Sequence, residues 1–185
     1  MRHLGAIALS FLLAGGLCAG KTRVATAACV SGEMTAEVAP GPEFAGLYKY
    51  TLSVTWDLDQ HDLSHLDFFL KLENCECICN QQFIQFGTPA GHSSSGGCDT
   101  EYAGEYVCMG DPALPPSFWA PAVKFEPSSG CEPGLQGTGT FCFYSPMPPV
   151  QTAPQPDGLV IKHGQDICAG TLVGQVPGCE CSLQS

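Results

Sequence analysis

Basic residues are scarce in this chain: seven Lys and Arg stand against eighteen Asp and Glu, a formal net charge of −11. A chain so short of positive charge repels nucleic acid and anionic membrane surfaces, both of which need a basic footprint. Charged residues of either sign make up only 14% of the chain and apolar ones 44%, which excludes a disordered acidic polymer. No apolar run approaches the ~20 residues that cross a bilayer as a helix, so no membrane span is expected. No window keeps a helical amphipathic pattern over a useful length. The two asparagines, Asn74 and Asn80, head no N-x-[ST] sequon, so nothing points to N-glycosylation. Turn formers, in contrast, abound. Twenty-two Gly and fifteen Pro favour many short strands over long helices.

The N-terminus sets the compartment. Met1-Arg2-His3 is a short basic lead, residues 4–17 (LGAIALSFLLAGGL) carry no charge, and Cys18-Ala19-Gly20 offers small residues before Lys21. Fourteen apolar residues are too few to span a membrane but suit a cleaved secretory signal over residues 1–20. The mature chain is then expected to be secreted or held at the cell surface. It keeps six basic and all eighteen acidic residues, a net charge of −12. About 165 residues suit one domain able to bury roughly two-thirds of its unfolded surface. Residues 21–31 read as an extended lead and 32–185 as a single β-rich domain.

Removing Cys18 leaves eleven cysteines: Cys29, Cys75, Cys77, Cys79, Cys98, Cys108, Cys131, Cys142, Cys168, Cys179 and Cys181. In an exported protein the default for such a set is disulfides, and an odd number leaves one over. Cys29, near the new N-terminus, is the expected odd one, open to a lipid tether or a covalent dimer. The separations Cys98 to Cys108, Cys131 to Cys142 and Cys168 to Cys179 leave nine, ten and ten residues between, each with turn chemistry inside. These pairs are the expected hairpin staples, each worth on the order of 3 kcal/mol in the chain-entropy model. Cys75, Cys77 and Cys79 alternate, so on a strand they share one face. With Cys181 they suit further disulfides; the alternative is a soft metal, although structural zinc sites space their cysteines by two to four residues.

Residues 47–56 (LYKYTLSVTW) give the clearest strand, with Tyr48, Tyr50, Leu52, Val54 and Trp56 alternating onto one face. Residues 65–72 (HLDFFLKL) follow as a second. Shorter strands are expected at 33–39, 75–79, 82–86, 105–109, 123–126, 138–144, 159–162 and 167–175. Residues 87–97 (GTPAGHSSSGG) read as a flexible loop and 111–121 as a proline-rich excursion. Residues 145–157, with five prolines, read as a polyproline-like connection. The expected fold is all-β: a disulfide-stapled antiparallel β-sandwich, Ig-like or jelly-roll-like, with long Pro/Gly-rich loops.

The stretch from Tyr48 to Cys75 joins paired tyrosines and alternating apolars to His61-Asp62-Leu63-Ser64-His65-Leu66-Asp67-Phe68 and then to cysteines. It resembles segments of secreted bacterial surface modules of β-sandwich type. The resemblance covers about thirty residues. It implies a sandwich with an extracellular role and names no ligand.

Residues 57–67 gather four carboxylates and two imidazoles. Asp57, Asp59 and Asp62 are the candidate calcium ligands, although an EF-hand template fails on them: Asp62 sits where glycine is needed and Phe68 where the bidentate Glu belongs. The plainer reading is a solvated turn. His61 and His65 stand four apart without the glutamate of a zincin motif. Ser64 beside His65 is no triad, which is a spatial arrangement. No G-x-S-x-G elbow is present. Phe118 and Trp119, in a proline-rich loop, are the candidate ligand-face aromatics, with capping of the fold as their plainer role. The function expected is a non-catalytic extracellular binding or structural module for a glycan or protein ligand, with no cofactor unless calcium. The alternatives are a metal-dependent module, at the aspartates or the cysteine cluster, and a secreted hydrolase without a recognisable motif.

Overall fold

Strict alternation along residues 48–57 makes a strand with one apolar face, and that face is buried. Tyr50, Leu52, Val54 and Trp56 are all at most 2% exposed, while Ser53, Thr55 and Asp57 face solvent. The computed structural model describes residues 29–70 and 89–178. Among these are nine strands: β1 (Val30–Val38), β2 (Tyr48–Asp57), β3 (His65–Phe69), β4 (Ala90–Ser95), β5 (Cys98–Val107), β6 (Ala122–Gly130), β7 (Gln136–Ser145), β8 (Pro149–His163) and β9 (Asp166–Pro177). They form one closed barrel in the order β1-β2-β7-β4-β5-β6-β3-β8-β9. The all-β class holds, but the sandwich does not. One sheet curls until β9 meets β1, and no second sheet exists among the described residues.

That last junction is the sole parallel pairing among the described strands, Ser31 to Met34 of β1 against Thr171 to Gly174 of β9. It brings the two backbones very close. A Cβ on Gly170 would lie 1.8 Å from the Val30 carbonyl oxygen, and one on Gly174 would lie 2.2 Å from that of Met34. Only glycine fits there.

Side chains fill the barrel. Tyr50, Phe143 and Phe68 stack with centroids 5.2 and 5.9 Å apart, and Phe141 meets Tyr102 at 5.0 Å and Phe125 at 4.9 Å. The polar tips are satisfied inside: the Tyr50 hydroxyl donates to the Met147 carbonyl at 2.7 Å and the Trp56 indole N–H to that of Gly134 at 3.0 Å. The outward faces of β2, β5 and β7 are mostly Ser, Thr, Asp, Glu and Gln. This apolar-in, polar-out wall is the inverse of a lipid-facing barrel. No described helix is long and apolar enough to cross a membrane.

Two stretches expected as irregular are strands. Residues 90–95 of the expected flexible loop form β4, whose inward residues Gly91, Ser93 and Ser95 are small because Phe141 occupies the space: a Cβ on Gly91 would lie 2.2 Å from its ring. Gly96 and Gly97, at φ 59° and 83°, make the turn into β5. The proline-rich 145–157 segment supplies the first half of β8, paired to β9 through two register shifts. β3 pairs with β8 only from Leu159 to Lys162, so the earlier prolines lie on an open edge where no N–H is required.

The disulfides also differ from expectation. Cys98 pairs with Cys131, and Cys29 with Cys168 across 139 residues of sequence. Cys108 is disulfide-bonded as well, though not to Cys98. Cys142 is a free thiol, so it and not Cys29 is the unpaired cysteine among the described residues. Spacing suggested staples within short loops, but Cys98–Cys131 ties the paired ends of β5 and β6, and Cys29–Cys168 ties β1 to β9, neighbours only through barrel closure. Cys75, Cys77, Cys79, Cys179 and Cys181 lie outside the described residues.

Two outcomes follow for the oxidised protein. Non-reducing peptide mapping joins Cys29 to Cys168 and Cys98 to Cys131, with Cys142 recovered alkylated. Gly170→Ala forces the β1–β9 junction apart and lowers stability by about 1–3 kcal/mol, read as a reduced denaturation midpoint at unchanged m-value.

Candidate functional site

All five residues of β3 are buried, although only Leu66 and Phe68 point into the barrel core. The outward residues His65, Asp67 and Phe69 are covered by the loop 108–121. Leu114 from that loop is buried in a second apolar cluster with Phe69, Ala122 and Val160, and Phe118 packs on it. Phe118 stacks on Phe69 with centroids 6.2 Å apart. The loop builds itself around Asp111. Its Oδ1 accepts the Ala113 N–H at 2.8 Å, an Asx turn, and its carbonyl accepts the Leu114 N–H at 3.1 Å.

The other Asp111 oxygen enters a buried group of charges on the barrel wall. His65 Nε2 lies 2.9 Å from Asp111 Oδ2 and 3.4 Å from Asp67 Oδ2, while Lys124 Nζ lies 3.4 Å from Asp111 Oδ2 and 2.7 Å from Glu126 Oε1. Sheet register makes the set: Asp67 stands opposite Lys124 across β3–β6, and Glu105 opposite Lys124 across β5–β6. His65, Asp67 and Asp111 are 5%, 0% and 1% exposed. Neither Asp67 oxygen makes a hydrogen bond, and the short approaches of His65 Nε2 are not aligned as hydrogen bonds.

Burying charge without partners shifts titrations. Burial first, then the Asp111 carboxylate, pushes the Asp67 carboxyl up to about 8. Burial, reinforced by the positive Lys124, draws His65 below its ordinary range. Lys124 is also penalised by burial, but its bond to Glu126 and the pull of Asp111 raise it overall. His65, Asp67 and Asp111 each offer one ligand atom within 4.8 Å of the others, the one such metal-ligating group among the described residues.

Asp57, Asp59 and Asp62 do not converge. All three are exposed around the β2–β3 connection, and Asp57 Oδ1 accepts the Gln136 side-chain amide at 2.7 Å. The calcium ligands expected there are corrected accordingly: two other members of that acid-rich stretch, His65 and Asp67, are the ones brought together. Asp111 and Lys124 escaped sequence reasoning, although a lone lysine within the apolar run AVKF was a legible signal. Phe118 is half-buried. Trp119 is 53% exposed, with its indole N–H held at 2.9 Å by the Leu114 carbonyl. A cleft of about 820 Å³ opens between residues 61–64 and 126–133, with Glu126 on its rim.

The signs of the two titrations are opposite. The unfolded chain releases the Asp67 proton near 3.8 and the folded chain near 8, so the folded state holds more protons between, and stability falls as pH rises through that window. Burial makes the folded His65 hold its proton less readily than the unfolded one does, so its share of stability rises with pH up to about 6.5. In chelator-treated protein, Asp67→Asn removes the fall. Its melting temperature exceeds that of the parent by more at pH 8 than at pH 5, as thermal unfolding across that range checks.

No family model matches the chain, and neither a curated protein nor a solved structure matches it.

Proposed function

We propose that this protein is an exported, non-catalytic binding module: a disulfide-tied barrel that offers the loop 108–121 to an extracellular glycan or protein. The observation that carries this reading is Trp119. Large aromatic side chains are ordinarily withdrawn from water, yet this one is 53% exposed. It is also held rigid. The indole N–H bond to Leu114, the 3-10 turn Pro116–Phe118, the Phe118–Phe69 stack and the Asp111 anchor fix the loop before any ligand arrives. A pre-set aromatic loses little entropy on binding, which is how rigid Trp and Tyr anchors serve recognition surfaces.

Other features support the same reading. The barrel core is filled by side chains, so a ligand meets the outside of the protein. The histidine–carboxylate group His65, Asp67 and Asp111 is sealed from solvent, which disfavours the hydrolase alternative. Disulfides joining distant strands suit an oxidising compartment, in line with secretion by way of the N-terminal signal. The acidic, polar outer wall suits a solvated extracellular surface.

Trp119→Ala tests the assignment. Pull-down on chitin, cellulose and peptidoglycan, and binding to cell-surface protein fractions, should each be run for parent and variant. Whichever ligand the parent retains, the variant loses about 2 kcal/mol of affinity, roughly thirtyfold, while the barrel still unfolds cooperatively with its disulfides intact. Equal binding by the variant removes the loop as the recognition element.

A further inference from the structure

The buried His65–Asp67–Asp111 group has a feature that packing does not explain. Asp67 is completely buried with both carboxylate oxygens lacking a hydrogen bond, and His65 Nε2 and Asp111 Oδ2 beside it also lack aligned partners. Buried polar atoms are nearly always satisfied, and four orphans facing one another point to a missing partner. No described lysine pairs with Asp67, since Lys124 is engaged by Asp111 and Glu126.

We infer that His65 Nε2, Asp67 and Asp111 bind one divalent first-row transition-metal ion, Zn²⁺ by preference, which fastens the loop 108–121 to the barrel wall. The spacing suits such an ion. Ligands at about 2.0–2.1 Å from zinc stand about 2.9 Å apart at right angles and about 3.3 Å apart in a tetrahedron. The observed separations from His65 are 2.9 Å to Asp111 and 3.4 Å to Asp67. An imidazole ligand argues against calcium or magnesium, which take oxygen almost alone. Two of the ligands lie on β3 and the third opens the loop that carries Trp119, so the ion joins two elements otherwise held by apolar contacts and the ion pairs of Asp111.

The test uses the full oxidised chain, treated with chelator and with its free thiols alkylated, and the metal ion alone as probe. Zn²⁺ should bind at one equivalent, raise the melting temperature and protect the loop 108–121 from proteolysis. Co²⁺ should give visible absorption without a thiolate charge-transfer band. Asp67→Asn and Asp111→Asn, checked for intact disulfides, should each abolish these effects. The first is close in shape to the native residue and sheds a buried charge, so it remains a folded control if the second does not. Absence of stoichiometric binding by the parent, survival of binding in Asp67→Asn, or a thiolate band would each overturn the inference.

Discussion

Closure of the barrel rests on one close contact between backbones. Eight of the nine strand junctions are antiparallel, but β1 and β9 run side by side in the same direction, and only over Ser31 to Met34 and Thr171 to Gly174. Gly170 and Gly174 let β9 lie within reach of the β1 carbonyls, and Gly32 opposite leaves room for Leu159 and Leu52. The Cys29–Cys168 disulfide ties the same junction at one end. Opened there, the structure would be a curled sheet with two exposed edges and an incompletely covered core of aromatic rings.

Because the barrel is closed and full of apolar side chains, its buried ionisable group lies on the outer wall, beneath the loop 108–121. β3 is short and enclosed on both sides, and this is what makes its charges unusual. A carboxyl facing out of a barrel would ordinarily be solvated, whereas Asp67 is shut in beside the carboxylate of the loop's own anchor, Asp111, and burial pushes it up to about 8. Lys124 pairs with Asp111 and not with Asp67. The same loop presents Trp119 to solvent, so the buried electrostatics and the exposed aromatic surface are two ends of one element. Stabilising the charges beneath the loop and ordering the tryptophan above it are therefore coupled physically, through Asp111, Leu114 and Phe118.

Much of this was legible residue by residue. The alternation along residues 47–56 marked β2 and its buried face, and the run HLDFFLKL marked β3. The richness in serine and glycine of residues 90–95 concealed β4, because strand propensity assumes side chains that fill space, whereas here Phe141 fills it from the neighbouring strand. Prolines concealed the first half of β8 because their cost depends on whether an edge is paired, which local sequence does not record. The acid-rich turn at 57–67 drew attention to Asp57, Asp59 and Asp62, and the structure instead selected His65 and Asp67 from the same stretch.

What the sequence by itself determined is local: an all-β chain, the buried face of the strand at residues 48–57, and a strongly acidic net charge. These follow from side-chain period, turn chemistry and net charge, which a linear chain carries in full. Barrel against sandwich, the pairing of Cys29 with Cys168 and Cys98 with Cys131, and the meeting of Asp111 with His65 and Asp67 were decided only by tertiary structure. The reason is physical. Each depends on which strands become neighbours, and residues 139 apart in sequence become neighbours only after the sheet has twisted far enough to close.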